Sequence, residues 1–329
     1  MAWSTCKLTL AAMTLFVATL VALTCATAQD YPNRPITLVI PLPPGGTNSI
    51  MARAVADKLS ELLGQQVVVE NRPSGGSGTV GTRQVARSTP DGYTLLLGYT
   101  SNLATAPSIY PNIGYDPRKD FAPIGLIASA SGLLLVHPSL PVDNVSDLIA
   151  LMKKSAEPYQ IGQPGIGTVN HLASELFALQ AGVKTQQIPY KGSHALITDL
   201  AGGHVKVAFN PIPVSRAAID GGLIRALAGT ALKRSTLLPH VPTLSESGLP
   251  GFDATLYYGL VAPAGTPQPI VQRLNKELRT ALGSDEVRRR IFNEGGEPMP
   301  TTPEEHAQLI DRDETKWSRL IKSIGLKAE

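Results

Sequence analysis

Ile36-Thr37-Leu38-Val39-Ile40 is a short apolar run held between Pro35 and Pro41, and a glycine-rich loop and a helical repeat follow it at once. Such a run, bounded by prolines, reads as a buried strand. After the loop Pro41–Thr47, the residues Ile50, Met51, Ala54, Val55, Leu59, Leu62 and Leu63 recur at helical spacing until Gly64. Glycine just past the last periodic residue is a helix stop. Gln66–Glu70 is a second β-branched run, 71–78 a loop, Val80–Arg87 a helix and Tyr93–Leu97 a third strand. A βαβαβ start requires crossover helices and so predicts a doubly wound, mainly parallel sheet.

A second set of alternating elements starts near residue 125. Strands are expected at Leu133–Val136, Tyr159–Gly162, Gln187–Tyr190, Val205–Phe209 and Ile224–Ala228. Helices are expected at Val145–Lys154, His171–Gln180, Ala195–Leu200 and Val214–Ile219, and then at Pro269–Leu282, Asp285–Phe292 and Pro303–Ile324. No repeat recurs with a solenoid period. The order fits two α/β lobes, 29–125 with 260–329 and 126–259, joined by strands crossing near Ile124–Ser129 and Leu256–Pro263, with the tail returning to the first lobe.

The first 28 residues stand apart. Lys7 supplies a positive start, Leu8–Thr24 is apolar or small, and Ala26-Thr27-Ala28 offers small residues to a signal peptidase. This predicts cleavage after Ala28 and export to the periplasm. An uncleaved anchor would use a run at the short edge of a spanning helix. A lipid-modified Cys25 would lack the usual residues ahead of it. Cys6 and Cys25, the chain's 2 cysteines, both fall in the segment to be removed. The mature protein is therefore expected to have no disulfide, no thiol nucleophile and no cysteine-bound metal. Lys+Arg 29 against Asp+Glu 26 leaves only +3, without a local basic cluster, which is no footprint for nucleic acid.

Pro44-Gly45-Gly46-Thr47-Asn48-Ser49 lies between the first strand and the first helix. Glycines let the backbone approach a ligand closely, and Asn48 or Ser49 can cap the helix, whose free N–H groups favour a carboxylate or phosphate. An ordinary capped turn would look the same. Gly76-Ser77-Gly78-Thr79-Val80-Gly81 matches G-x-G-x-x-G, but Leu97-Gly98-Tyr99-Thr100 carries no acidic residue to hold a ribose. It reads instead as a loop lining a cleft. Gly165-Ile166-Gly167-Thr168-Val169-Asn170-His171 repeats the strand–loop–helix arrangement in the second half, so that each lobe would offer a helix start to one cleft. There His171 either bonds a ligand or holds its own loop, and Lys191 either reaches the cleft or is solvated. Enzyme signatures fail: there is no G-x-S-x-G elbow, no P-loop and no H-E-x-x-H, and none of the six histidines pairs at metal-helix spacing. Glu304-Glu305 and their neighbours read as a solvated helix face. No metal, cofactor or catalytic residue is expected.

Several stretches resemble the substrate-binding receptors of tripartite tricarboxylate transporters, the Bug receptors. They are Tyr31–Pro41, Pro43–Gly46 with Ala52-Arg53, Val69–Gly76, Pro90–Leu95, Gly165–Thr168, Pro189–Gly192, Val241–Thr243 with Glu246–Gly248, and Ala262–Pro267. They run in family order along the whole chain after residue 30. The resemblance implies a two-lobed Venus-flytrap fold without catalysis, a small organic acid as ligand (a di- or tricarboxylate or an aromatic carboxylate), and delivery to a membrane permease of one large and one small subunit by a monomeric receptor. The ligand-binding set is then expected at Gly45, Gly46, Thr47, Asn48 and Ser49, at Tyr99, Thr100 and Ser101, at Gly165, Gly167, Thr168 and His171, and at Asn210. Where the family usually carries Asp this chain has Ser49, which disfavours an amine-bearing amino acid as ligand. A sensor module docking on a signalling protein, or a secreted α/β hydrolase lacking any recognisable triad, are the alternatives.

Overall fold

A computed structural model describes residues 31–44, 47–73, 76–110 and 112–327. The expected signal segment, both cysteines, Gly45 and Gly46 lie outside them. The described chain builds two sheets. The first holds β1 (Ile36–Ile40), β2 (Val67–Asn71), β3 (Thr94–Tyr99), β4 (Phe121–Ala130), β10 (Leu256–Pro263) and β11 (Gly296–Pro298), in the order β11-β4-β10-β3-β1-β2. The second holds β5 (Gly132–Val136), β6 (Tyr159–Gln163), β7 (Thr185–Pro189), β8 (Val207–Pro211) and β9 (Arg225–Gly229), in the order β7-β6-β8-β5-β9.

The two-lobed α/β fold with mainly parallel sheets is as expected: four of the six strands of the first sheet and four of the five of the second run the same way, while β10, β11 and β5 are reversed. In the first sheet β1 runs parallel to β2 and β3, while β10 is antiparallel to both β3 and β4, and β11 is antiparallel to β4. The reason is the double crossing. The chain leaves the first lobe along β4 and returns along β10, so the two must oppose each other, and β10 then settles between β3 and β4. In the second sheet β6 is parallel to β7 and β8, whereas β5, entered directly from β4, is antiparallel to β8 and β9.

Helices cover both sheets. α1 (Thr47–Leu63) brings Met51, Val55 and Leu59 against Leu38, Ile40, Leu95 and Leu260, and α8 (Gln268–Leu282) adds Leu274 and Leu278 to the same core. On the opposite face α2 (Thr79–Ala86) packs Val85 with Val39, Leu96 and Val261. In the second lobe α5 (Val169–Ala181) supplies Leu172 and Phe177 to a core with Ile161, Val207, Phe209 and Phe252. The other face is closed by α6 (Ser193–Ala201) and α7 (Ile212–Asp220), while α4 (Val145–Lys154) starts on an Asn144 cap that accepts from the Asp147 amide.

Two segments join the lobes besides the crossing strands. Ser101–Thr105 forms a π-helical turn and α3 (Ala106–Ile109) follows, with Ala104 and Ile109 buried in the second-lobe core. After α9 (Asp285–Asn293), the last helix, α10 (Pro303–Ser323), begins with a reciprocal cap between Thr302 and Glu305. Its Ile310 packs with first-lobe Val39 and Val261, while Trp317, Leu320 and Ile321 enter the second-lobe core.

Candidate functional site

In an open α/β sheet, ligands bind outside the carboxyl ends of the strands where the strand order reverses. In the first sheet that point is β1, flanked by β2 and β3; in the second it is β6, flanked by β7 and β8. The described sequence-predicted residues gather at these ends: Thr47, Asn48 and Ser49 open α1 after β1, and Tyr99, Thr100 and Ser101 end β3. Gly165, Gly167, Thr168 and His171 lie in the loop and first turn after β6, and Asn210 lies near the end of β8.

The first-lobe wall is held by carboxamides. Asn71, the last residue of β2, donates from Nδ2 to the Leu42 carbonyl at 3.0 Å and to Ser49 Oγ at 3.1 Å, and its Oδ1 accepts from Arg53 at 3.4 Å. The loop after β1 and the first turn of α1 are thereby pinned together. Ser49 is buried, and since its oxygen accepts from Asn71 its proton is left to donate. Asn48 Oδ1 is enclosed and has no hydrogen-bond partner among the described residues. Behind this, Asn102 accepts from the Tyr99 amide at 2.7 Å and donates to Thr82 at 3.0 Å, fixing the end of β3. The Tyr99 hydroxyl, pushed above its usual range chiefly by burial, donates to the Ser77 carbonyl at 2.9 Å. Thr100 Oγ1 accepts from the Tyr257 amide of β10 at 2.9 Å, and the half-buried Ser101 offers its carbonyl to Thr105.

The glycines of the G-x-G-x-x-G stretch have a packing role. Gly78 adopts φ 68°, and a Cβ there would stand 2.4 Å from the Pro41 carbonyl; one on Gly81 would stand 2.9 Å from Pro41 Cβ. These positions bring α2 hard against the loop after β1, which accounts for the pattern without a dinucleotide.

The second-lobe wall is tied largely to itself. Thr168 caps α5 by accepting from the His171 amide at 3.2 Å and donates to the Gly165 carbonyl at 2.8 Å. His171 is buried; its Nδ1 accepts from the Gly167 amide at 3.1 Å and its Nε2 faces Glu175 at 3.5 Å. Both ring nitrogens thus serve the loop and the helix. Gly167 has φ 77°, and a Cβ there would lie 3.1 Å from Ile109 Cδ1, so the loop fits closely beside α3. Gln163 and Asn210 are fully buried, with Gln163 Nε2 and Asn210 Oδ1 unpartnered among the described residues. Lys191 is exposed.

A family model for the "tripartite tricarboxylate transporter family receptor" matches residues 51–326, most of the chain. This chain belongs to that family. It is 36% identical to the protein BugT of Bordetella pertussis over 319 residues, covering 97% of this chain and 98% of BugT. Among solved structures it is similar to Rpa4515 of R. palustris with adipate, at 37% identity, TM-score 0.77 and coverage of 91% and 100%. It is also similar to MatC of Rhodopseudomonas palustris with bound malate, at 30% identity, TM-score 0.73 and coverage of 88% and 100%. The protein is a tripartite tricarboxylate transporter family solute-binding receptor with the periplasmic-binding-protein fold.

Three residues of this receptor's walls were not anticipated as site residues: Asn71, Asn102 and Gln163. Asn71 and Gln163 share a readable signal, a carboxamide as the last residue of a strand directly before a proline- and glycine-bearing loop. Asn102 has none, because it lies in a segment with no helical period of its own.

Proposed function

We propose that this receptor captures a small organic carboxylate between its lobes and delivers it, as a monomer, to the large and small subunits of a tripartite-transporter permease. The observation that carries the reading is the placement of unpartnered, enclosed polar atoms (Asn48 Oδ1, Gln163 Nε2 and Asn210 Oδ1) at the reversal points of the two sheets. Buried polar atoms without partners are uncommon in folded proteins, and a solute supplies them. At the first lobe the carboxylate meets the amides that open α1 and the donating hydroxyl of Ser49. The similar proteins solved with adipate and with malate bind acids of this class. Residues 126–259 close on the rest about β4 and β10, and the signal segment, cut after Ala28, sends the protein to the periplasm.

The test is a thermal-shift screen of purified mature protein against a carboxylate library. A cognate acid at 100 times its Kd stabilises the folded state by ~2.7 kcal/mol, a clear rise in Tm. A library without a single shifting acid would sink the reading, as would turnover of the bound acid.

A further inference from the structure

The two buried carboxamides of the second lobe have orientations fixed by their neighbours. Gln163 Oε1 accepts from the Gly165 amide at 2.7 Å, so the nitrogen is the unpartnered end. Asn210 Nδ2 donates to Ser215 Oγ at 3.2 Å, and the Ser215 proton is already given to the Pro211 carbonyl at 2.8 Å. Ser215 can therefore only accept from Asn210, and the unpartnered end is the oxygen. Both residues are 0% exposed and stand at the carboxyl ends of adjoining strands, paired at Gly162 and Ala208. The second lobe thus holds one buried N–H donor and one buried carbonyl acceptor without a partner among the described residues.

We infer that the ligand's second pole is a neutral group that both donates and accepts, a carboxamide or a hydroxyl, in place of a second carboxylate. This rests on the carboxylate reading above, which assigns the first pole to the start of α1. A primary amide gives its carbonyl to Gln163 and an N–H to Asn210. A carboxylate can satisfy Gln163 but turns lone pairs toward Asn210 Oδ1, which stays unpaired. The surroundings match a neutral group. Ser215 and the Gly165 main chain are uncharged, and His171 accepts at Nδ1 from the Gly167 amide; the charged side chain facing it is the Glu175 carboxylate.

The experiment is calorimetric titration of the mature protein with succinate, glutarate and adipate, each beside its monoamide and its ω-hydroxy acid. At the length that fits, the monoamide or hydroxy acid is expected to bind at least about tenfold more tightly than the diacid, the scale of one buried group left unpaired. Gln163→Glu keeps an acceptor for the Gly165 amide but replaces the neutral N–H donor with a buried acid; it is expected to weaken the monoamide by about tenfold or more at some cost in Tm, with circular dichroism confirming that the fold is kept. A diacid equal to or tighter than its partners at every length overturns the inference and leaves the carboxylate reading standing. Unchanged monoamide affinity in Gln163→Glu overturns it as well. If no acid of any kind binds, the carboxylate reading falls and the inference with it.

Discussion

The lobes meet in two places of opposite character. At the carboxyl ends of the strands, three amide side chains each keep an enclosed polar atom without a partner among the described residues. Along the flank covered by α10, buried charges find partners within the chain. Asp313 lies 3.2 Å from Arg312 and 3.5 Å from Lys316, Lys316 donates to the Asp253 carbonyl at 3.1 Å, and the Arg312 guanidinium sits over the Tyr257 ring. Two ring nitrogens there, His306 Nδ1 and Trp317 Nε1, do lack partners, but they belong to rings held in apolar packing: Trp317 in the second-lobe core, His306 beside a cavity of about 20 Å³. The difference separates recognition from attachment. The face proposed to admit a solute leaves hydrogen-bonding capacity unspent, and the face covered by α10 uses its charges internally.

The sharpest way to break this contrast is Trp317→Ala. The ring is fully buried where α10 joins the second-lobe core, so urea denaturation should show a loss of ~3–5 kcal/mol. A loss below ~1 kcal/mol would mean that α10 does not weld the lobes.

Next in size is an acid effect on the same flank. Burial pushes the His306 imidazole down to about 3. The unfolded chain takes up that proton near pH ~6.5, and the folded one does not until far lower. The histidine's contribution is therefore intact above pH ~6.5 and is lost as the pH falls toward 3, by ~1.4 kcal/mol per unit, or ~2 kcal/mol by pH ~5. Asp313, raised by burial, works in the opposite direction, which is why the difference between wild type and His306→Gln is the quantity to follow across pH. Parallel stability curves for the two proteins between pH 7 and 5 would contradict this.

At the cleft, Ser49→Asp retains an acceptor for Asn71 but adds a negative charge beside the bound anion. At ~4 Å and an effective dielectric of ~20 the repulsion reaches ~4 kcal/mol, reduced by solvent and rearrangement to a ~10–100-fold loss of affinity. Calorimetry with the cognate acid measures it; unchanged binding would move the carboxylate away from α1. The smallest expected effect is Thr168→Ala, which removes the α5 cap and costs ~1 kcal/mol of stability by thermal melting. A neutral result would show that the second-lobe loop is held by His171 and Gln163 without its cap.

Much of the framework was legible beforehand because period and punctuation agree. Val145–Lys154 is a helix with the expected bounds, and Ile36–Ile40 is a strand with the expected bounds. The reversed strands were not legible, since an apolar run reads the same in either sense, and only the return of β10 between β3 and β4 sets its direction. Ser101–Thr105 and Gly296–Pro298 escaped notice because a π-helical turn has no simple repeat and a three-residue strand has too few positions for a pattern. At the candidate site the glycine loops lie beside the ends of β1, β2 and β6, and they gave no sign of the carboxamides Gln163 and Asn71, because glycine carries no side chain and these residues end the strands next to them.

The position of β10 also sets an order of events during folding. Strands β1 to β3 and strand β4 share no neighbour until Leu256–Pro263 has been made, so a ribosome that has released residue 229 has supplied every strand of the five-stranded sheet and left the six-stranded one in two pieces. Tyr99 must wait for Tyr258, and pairings so distant along the chain close slowly. The second lobe should mature first and the first lobe last, an order that hydrogen-exchange labelling during refolding would read as protection of Ile161 and Phe209 ahead of Leu38 and Leu260. A receptor assembled in that sequence closes its first sheet only once residue 263 has been made.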